Sequence, residues 1–222
     1  MISAADGYRR RWPKLADAPS RREKAAKIAA VLRAYDEREL AGLTCLDLGC
    51  GSGIIAAGLA PYFARLIACD LDPDGVAFAH AEFSGPNVTH LVADATLVPL
   101  ADKSFDVIVC SHVYEHVSSA ERLVAEIGRL LKPDGVCFFG GPNALRLYEP
   151  HLKMWLVHWL PRPLIDLILG AMGRPPYGEH LRNHRGLVHL LRDFAIQDVT
   201  LALVKDSEHF HTASEPGLRL AG

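Results

Sequence analysis

The sequence predicts a doubly wound α/β fold, in which helices cover both faces of a mostly parallel sheet. Five short apolar runs have the length and composition of strands: 44–48, 65–69, 88–92, 106–110 and 136–140. Helical spacing fills the segments between most of these runs, at 53–63, 73–83 and 117–132. The stretch 94–104 is instead expected to be a loop or a weakly marked helix. The runs are apolar almost throughout, which is typical of strands buried on both faces of a parallel sheet.

Further elements are predicted on both sides of this alternating region. Residues 20–40 have helical spacing, with Ser20 as the candidate N-cap and Gly42 just past the end. After Pro142 the sequence predicts one long or broken helix, a second helix and a final strand, at 144–172, 182–193 and 196–204. One domain is therefore expected, made of an N-terminal helical segment, an α/β core, a helical cap and a last strand with its tail: 1–42, 43–142, 143–195 and 196–222.

The composition fits a single domain and excludes several classes of protein. Of the 222 residues, 50% are hydrophobic and 23% are charged, which allows a substantial core and argues against a disordered chain. The formal net charge of −2 gives no general attraction to polyanions, so no nucleic-acid partner is expected. Residues 1–27 hold eight lysines and arginines, which favours a solvated helix face over an anionic substrate or a membrane surface.

Cysteine usage and hydropathy predict a cytoplasmic location. The five cysteines fall in or beside apolar runs and form no CxxC pair, so they are expected to be small core residues in a reducing compartment. No apolar stretch follows the basic N-terminus, as a secretory signal would require. The most apolar segment, 154–172, contains two prolines and two charged residues, which makes it too interrupted for a spanning helix.

A glycine-rich turn follows the first predicted strand. Doubly wound sheets bind ligands outside the carboxyl ends of their strands, so the residues that end each strand are the ones that can form a site. The first strand runs into Asp47-Leu48-Gly49-Cys50-Gly51-Ser52-Gly53. Glycines there allow a tight turn and a close approach of the backbone to a ligand. A dinucleotide-binding turn would have a third glycine at position 54, where Ile54 stands, so the spacing disfavours a nicotinamide cofactor.

This turn resembles the first motif of class I S-adenosylmethionine (SAM)-dependent methyltransferases. The resemblance covers residues 24–142 and includes two more segments, 103–108 entering the fourth strand and 130–136 entering the fifth. It is closest to the branch that acts on small molecules and in quinone biosynthesis, with a type 11 methyltransferase domain. It implies that the glycine loop lies against the methionine part of SAM and that Asp47 supports the loop.

The ends of the second and third strands add to this resemblance. Asp70 ends the second strand, and its carboxylate can accept hydrogen bonds from both ribose hydroxyls, a role that dinucleotide enzymes share. In the family, an acid at the position of Asp94 contacts the adenine amino group, and the next backbone N–H contacts the ring; the alternative for Asp94 is a helix cap. The expected SAM-binding residues are therefore Asp47, Gly49, Cys50, Gly51, Gly53, Asp70, Leu71, Asp94, Ala95 and Ser111.

The segment after the fourth strand, Ser111 to His116, is the expected source of catalytic groups. A hydroxyl acceptor must lose a proton during methyl transfer, and a histidine at this edge could take it. The family often carries Glu-His here, matching Glu115 and His116, so the candidate catalytic residues are His112, Glu115 and His116. Packing or capping is the alternative role. A related acidic triad binds a divalent ion in some quinone-biosynthesis enzymes, but His112 replaces its first acid, so no metal is predicted.

The acceptor is predicted to be a small or lipid-like molecule. The Asn/Asp-Pro-Pro-aromatic motif of enzymes that methylate nucleic-acid bases does not occur after the fourth strand. The expected cap is rich in tryptophan and leucine, which suits a lipid-like or aromatic acceptor or peripheral docking on a membrane. Two alternatives remain open from the sequence: a nicotinamide-dependent oxidoreductase and a non-catalytic SAM-binding domain.

The family's sheet normally ends with a sixth strand and an antiparallel seventh strand between the fifth and sixth. Here 196–204 would supply the sixth, but residues 205–222 contain no apolar run suited to a central strand. The seventh strand is therefore predicted to be absent or vestigial. The fifth strand would then either pair directly with the sixth or keep an open edge, which could support a homodimer.

Overall fold

The computed structural model describes residues 18–145, 148–149, 154–155, 159–173 and 180–206. Its centre is a five-stranded parallel sheet in the order β3-β2-β1-β4-β5. The strands are β1 (Thr44–Leu48), β2 (Arg65–Asp70), β3 (Val88–Val92), β4 (Phe105–Ser111) and β5 (Leu131–Gly140). The strand order reverses between β1 and β4, as in a doubly wound sheet, so the predicted fold class is confirmed.

Helices cover both faces of the sheet. They are α1 (Ala18–Tyr35), α2 (Ile54–Leu59), α3 (Pro73–Phe83), α4 (Ala120–Leu130), α5 (Arg162–Ala171), α6 (His184–Leu190) and α7 (Thr200–Lys205). Short 3₁₀ turns lie at Leu40–Gly42 and Ala60–Tyr62, and a two-stranded antiparallel ribbon pairs β6 (Tyr148–Glu149) with β7 (Met154–Trp155). The predicted strands and the helices of the core recur within a few residues of their expected bounds.

The core has two layers because successive residues of a buried strand point to opposite faces. In β4, Val107 and Val109 pack with α1 and α2, whereas Ile108 and Cys110 pack with α4 and α6. The α4 helix buries Leu123, Ile127 and Leu130, which are spaced by about one helical turn. Four of the five cysteines are buried, Cys137 is half-buried, and all five are free thiols.

The predicted final strand 196–204 is wrong. Residues 195–199 have no regular structure, and α7 begins at Thr200. The backbone N–H of Thr200 donates to Asp198 Oδ1 (2.9 Å), and Leu203 N donates to the Val199 carbonyl (3.0 Å). A local carboxylate acceptor thus starts a helical turn in a segment whose alternating pattern favours a strand.

Two other boundary predictions need correction. Ser20 is not an N-cap, since α1 already includes Ala18 and places Ser20 inside the helix. The alternative of one long helix over 144–172 is wrong, because the described part of this region contains the β6–β7 ribbon and its α-helix covers 162–171. Proline explains part of this, because it is tolerated in a first helical turn, where Pro163 lies, but not in a helix interior.

The outer edge of β5 carries no strand within the described residues. The side chains of Val136, Cys137, Phe138 and Phe139 are only half-buried there. A groove of about 1100 Å³ runs along this edge between α1, α4 and the segment 189–199. Residues 207–222, which bear on the predicted loss of the seventh strand, lie outside the described residues. The homodimer stays a prediction.

The amino ends of β1, β4 and β5 are joined through one carboxylate. Asp106 Oδ2 accepts hydrogen bonds from Thr44 N (2.9 Å), Thr44 Oγ1 (2.7 Å) and Lys132 Nζ (2.8 Å). Arg38 approaches the other oxygen at 3.7 Å. Burial raises the pKa of Asp106, but the bonds from Lys132 and Thr44 outweigh burial and hold that pKa at about 2. Ionised Asp106 therefore stabilises the sheet at its amino edge.

We predict that Asp106→Asn lowers the free energy of unfolding by about 1–2 kcal/mol at pH 7. Because the folded-state pKa lies below the value of about 4 in the unfolded chain, this contribution is complete above pH 4 and disappears as pH falls toward 2. Urea denaturation at pH 7 and pH 3 measures it, with the exposed Asp193→Asn as the matched control. A wild-type-to-variant difference that is the same at both pH values contradicts this account.

Candidate active site

The glycine loop between β1 and α2 requires glycine at three alternating positions, 49, 51 and 53. Gly49, Gly51 and Gly53 all have positive φ, at 73°, 53° and 74°, a region that other residues rarely adopt. A Cβ on Gly49 would lie 2.5 Å from Val113 Cγ2, and one on Gly53 would lie 2.5 Å from Ala79 Cβ. The loop therefore packs directly against α3 and against the segment that follows β4.

Asp70 ties this loop to the end of β2. Its Oδ2 accepts from Gly51 N at 2.8 Å, and its Oδ1 accepts from Asp72 N at 2.9 Å. The carboxylate is only half-buried, and each oxygen of an ionised carboxylate can accept more than one bond. Asp70 can therefore position the loop and still accept hydrogen bonds from a ligand diol.

Asp47 and Ser111, at the carboxyl edge of the sheet, each have a buried oxygen without a partner within the described structure. Asp47 is 3% exposed beneath the glycine loop, and its Oδ2 accepts no hydrogen bond; the same holds for Oγ of Ser111 at the end of β4. Burial and then the charge of Asp70 raise the pKa of Asp47 to about 7, against the smaller opposing effects of Arg21 and Lys24. Buried polar atoms are costly without a partner, so both sites fit a ligand that supplies donors.

The turn after β3 carries Asp94 and Ala95, and an exposed leucine follows each of the strands β2 and β3. Asp94 is exposed, and its Oδ1 accepts from both the N–H and the hydroxyl of Thr96 at 2.8 Å, while Ala95 is buried. Leu71, after β2, and Leu97, after β3, are 68% and 77% exposed at the ends of adjacent strands. The sequence analysis missed Leu97, which could have been recognised as a large apolar residue in a polar turn.

The segment after β4 gathers the three candidate catalytic residues. Glu115 is 1% exposed; its Oε1 lies 3.3 Å from Nδ1 of His112 and 4.0 Å from Nε2 of His116, and its Oε2 has no partner. Both imidazoles are exposed. His112 has a φ of +60°, which is rare for a residue with a side chain and is typical of functional sites. Val113, one residue on, packs on Gly49, so this group borders the glycine loop.

A second segment, which we call the strap and which contains His180 and Arg182, forms hydrogen bonds with the segment after β4. The sequence did not predict this contact. His180 N donates to the Glu115 carbonyl (2.9 Å), and Arg182 N donates to the Tyr114 hydroxyl (3.3 Å). The Tyr114 hydroxyl in turn donates to the Pro142 carbonyl, and Ala144 N donates to the Arg182 carbonyl (2.9 Å). The chain beyond the cap thus returns to the candidate catalytic segment, a long-range pairing for which the sequence carries no local signal.

The predicted contribution of 143–160 is described only in part. Trp155 and Trp159 have exposed side chains, and Leu145 is also exposed. Much of this range lies outside the described residues. Within the described ranges, no group of three His, Cys, Asp or Glu side chains has the arrangement of a metal site, and the expected lack of a metal stays a prediction.

Comparison with known proteins identifies the core. Residues 46–139 match the family described as methyltransferase domain. This match identifies residues 46–139 as a methyltransferase domain. The match spans β1 to β5 and so includes the glycine loop, Asp70, Asp94 and the segment with His112.

Curated relatives of this methyltransferase domain include two ubiquinone biosynthesis O-methyltransferases. The one from Methylococcus capsulatus is 38% identical over 135 residues, which cover 57% of this chain and 56% of the relative. The one from Agrobacterium fabrum is 32% identical over 133 residues, which cover 56% of this chain and 52% of the relative. The chain therefore spans about half the length of the curated relatives that it matches.

A solved structure supports the same fold. The SAM-dependent methyltransferase from Mesorhizobium loti has a TM-score of 0.61 and 22% identity, over 84% of this chain and 92% of that structure. This likeness extends over more of the chain than residues 46–139. At this level of identity, it shows the fold alone.

The residues of the methyltransferase domain fit SAM. A cradle of three positive-φ glycines admits a ligand against the backbone, and the orphaned Asp47 and Ser111 oxygens can accept from its polar groups. Asp70 offers acceptors for the ribose, and Asp94 keeps Oδ2 for the adenine amino group. These assignments, together with those of Cys50, Leu71 and Ala95, remain predictions from the motif.

We predict that Asp47→Asn weakens SAM binding. In the absence of SAM, the variant should also become more stable relative to wild type as pH rises. The folded-state pKa of about 7 exceeds the unfolded value of about 4, so the folded wild type holds an extra proton between these values and loses stability as pH rises through this window. Relative to wild type, the variant should gain about 2–3 kcal/mol of unfolding free energy between pH 5 and pH 8.

Denaturation at the two pH values, together with calorimetric titration of SAM, tests this prediction. The exposed Asp193→Asn is the control and should track wild type in both measurements. A stability difference that does not change with pH would show that Asp47 ionises normally. Unchanged SAM affinity would show that Asp47 does not serve the cofactor site.

Proposed function

We propose that this protein transfers a methyl group from SAM to the hydroxyl of a small, apolar molecule, with His112 as the general base. The observation that carries the proposal is that Val113 packs on Gly49, which puts the His112–Glu115 pair beside the glycine loop of a methyltransferase domain. The relatives named as ubiquinone biosynthesis O-methyltransferases support a small-molecule acceptor and methylation at oxygen. The comparisons give no support to a nicotinamide-dependent oxidoreductase.

The chain's own residues supply alignment and proton removal. When bound, SAM supplies an electrophilic methyl group on a sulfonium centre. Glu115 is buried and can accept the Nδ1 proton of His112, which leaves Nε2 of that ring with a lone pair for the acceptor hydroxyl. As the acceptor oxygen gains the methyl group, its proton passes to Nε2. His116 lies farther from Glu115, at 4.0 Å, and serves in this proposal as a contact for the acceptor.

The test is transfer of labelled methyl from SAM to a panel of phenols, catechols and hydroquinones, with primary amines as a comparison class.

We predict that His112→Gln lowers kcat about 10²- to 10⁴-fold, the usual contribution of a general base, and leaves the KM for SAM unchanged. His116→Gln should mainly raise the KM for the acceptor. The exposed His189→Gln on α6 is the control. Transfer to amines but not to hydroxyls would overturn the acceptor class, and a full loss in His116→Gln alone would move the base to His116.

We further propose that α5 rests on a membrane surface, from which a lipid-like acceptor would reach the site. Ile165 and Leu169 of α5 are buried against Met154, whereas Leu164 and Leu167 on the opposite side are 42% and 69% exposed. A surface helix normally has a polar outer face, so an apolar one indicates a further apolar contact. Trp155 and Trp159 add exposed aromatic rings, which favour the membrane interface.

No helix in the described ranges is long and apolar enough to cross a bilayer. The cytoplasmic location stays a prediction.

We predict that the protein sediments with phosphatidylcholine–phosphatidylglycerol vesicles and that Leu167→Glu reduces the vesicle-bound fraction at least about tenfold. Burial of a leucine side chain in an apolar phase contributes about 1.5–3 kcal/mol, and a charge there adds to the loss. Leu201→Glu, on the exposed side of α7, is the matched control, because Leu201 is 67% exposed. Equal sedimentation of the two variants would contradict docking through α5.

A further inference from the structure

The loop between β3 and β4 is fastened to α4 by two side chains outside the SAM-binding motifs. This loop, residues 93–104, carries Asp94 and Ala95 at its start. Glu126 of α4 is 7% exposed, and its Oε1 accepts from Val98 N at 2.7 Å. Arg129, one turn later, donates to the carbonyls of Val98 and Leu100 at 2.9 Å each. Val98 therefore has both of its backbone polar groups bound by α4.

The two side chains also hold each other. Arg129 Nε donates to Glu126 Oε2 (2.9 Å), and its Nη2 donates to Glu126 Oε1 (2.7 Å), a bidentate pair with fixed geometry. Arg129 Nη1 also bonds Asp102 farther along the loop. The pairing lowers the pKa of Glu126 below its usual value, mainly through the hydrogen bonds from Arg129. Both groups are thus ionised and locked together at neutral pH.

Glu126 and Arg129, which we together call the clamp, fix the loop 93–104, which has no regular secondary structure of its own. From Ala93 to Ser104 the chain forms neither helix nor strand beyond an isolated bridge between Asp94 and Leu97. Asp94 is stabilised locally only by its bonds with Thr96 and by Leu97 N, which donates to its carbonyl. Four residues after Asp94, the clamp on Val98 sets where this turn sits relative to the sheet. Short charge-assisted bonds of this kind are about twice as strong as neutral ones and add geometric specificity.

We infer that Glu126 and Arg129 are positioning residues for adenine recognition: they hold the Asp94 turn where its carboxylate can read the 6-amino group of the cofactor. This inference rests on the proposed function, because it assumes that the site binds SAM. Neither side chain would contact the cofactor. Their loss should therefore reduce discrimination at the 6-position of the purine more than it reduces overall affinity.

The test compares the affinities for S-adenosylhomocysteine and for S-inosylhomocysteine, which carries an oxygen in place of the 6-amino group. Wild type should bind the adenosyl form at least tenfold more tightly, because the Asp94 carboxylate would accept from the 6-amino group but would face another acceptor, the 6-oxygen, in the inosyl form. In Arg129→Met and Glu126→Gln that ratio should fall to about threefold or less. Arg129→Lys, which keeps the charge but not the fork, should give an intermediate ratio.

Two controls separate positioning from general destabilisation. Arg122→Met removes another arginine of α4 and should leave the ratio unchanged. Asp106→Asn destabilises the sheet at its opposite edge and should also preserve the ratio. An unchanged ratio in folded Arg129→Met, or in Arg129→Lys if the methionine variant does not fold, overturns the inference. Wild type that binds neither compound overturns the proposed function and the inference with it, whereas equal binding of the two by wild type overturns the inference and leaves the proposed function standing.

Discussion

The site depends on one backbone constraint, the turn from β1 into α2. Three alternating glycines with φ between 53° and 74° bring this turn under the backbone of β2, where Gly49 N and Cys50 N both donate to the Cys69 carbonyl. Asp70 then binds Gly51 N, so the end of β2 and the loop form one unit. Because a side chain on Gly49 or Gly53 would collide with Val113 or Ala79, the same constraint sets the distance from the loop to the candidate catalytic segment and to α3. A ligand seated on the loop is therefore automatically close to His112.

The parallel sheet separates stabilising charges from the candidate functional charges. At the amino edge, Asp106 is fully paired with Thr44 and Lys132, and its low pKa reports a carboxylate that favours the folded state. At the carboxyl edge, Asp47 and Glu115 are buried with an unpaired oxygen each, which is unfavourable for folding. Parallel strands make this division natural, because all their carboxyl ends meet on one side. The motif segments 103–108 and 130–136, which contain Asp106 and Lys132, therefore stabilise the fold at the amino edge of the sheet. The cofactor motifs lie at the opposite, carboxyl edge.

Most of the core could be predicted from sequence, because local patterns determine it. Continuous apolar runs identified all five strands of the sheet, and glycine spacing identified the loop. The failures have a common physical origin in context beyond the local pattern. The segment 196–204 alternates like a strand, yet Asp198 accepts from Thr200 N at the start of α7, and no strand pairs with this segment within the described residues. The strap through His180 and Arg182 and the clamp through Glu126 and Arg129 join residues 27 to 68 positions apart, and only tertiary packing reveals such pairs.

Strain and desolvation at the carboxyl edge explain why the candidate site is held by so many contacts from elsewhere. His112 occupies a left-handed conformation that costs of order 1–3 kcal/mol, and it persists only where the surroundings determine it. Its N–H donates to the Gly140 carbonyl of β5, Tyr114 is anchored to Pro142, and the strap binds Glu115 from the other side. A side chain on Gly141 would press into the Tyr114 ring, so the exit of β5 is also shaped around this segment. The fifth strand, the strap and the glycine loop converge on residues 112–115. That convergence favours a site whose geometry exists before the acceptor arrives, which is what in-line methyl transfer requires.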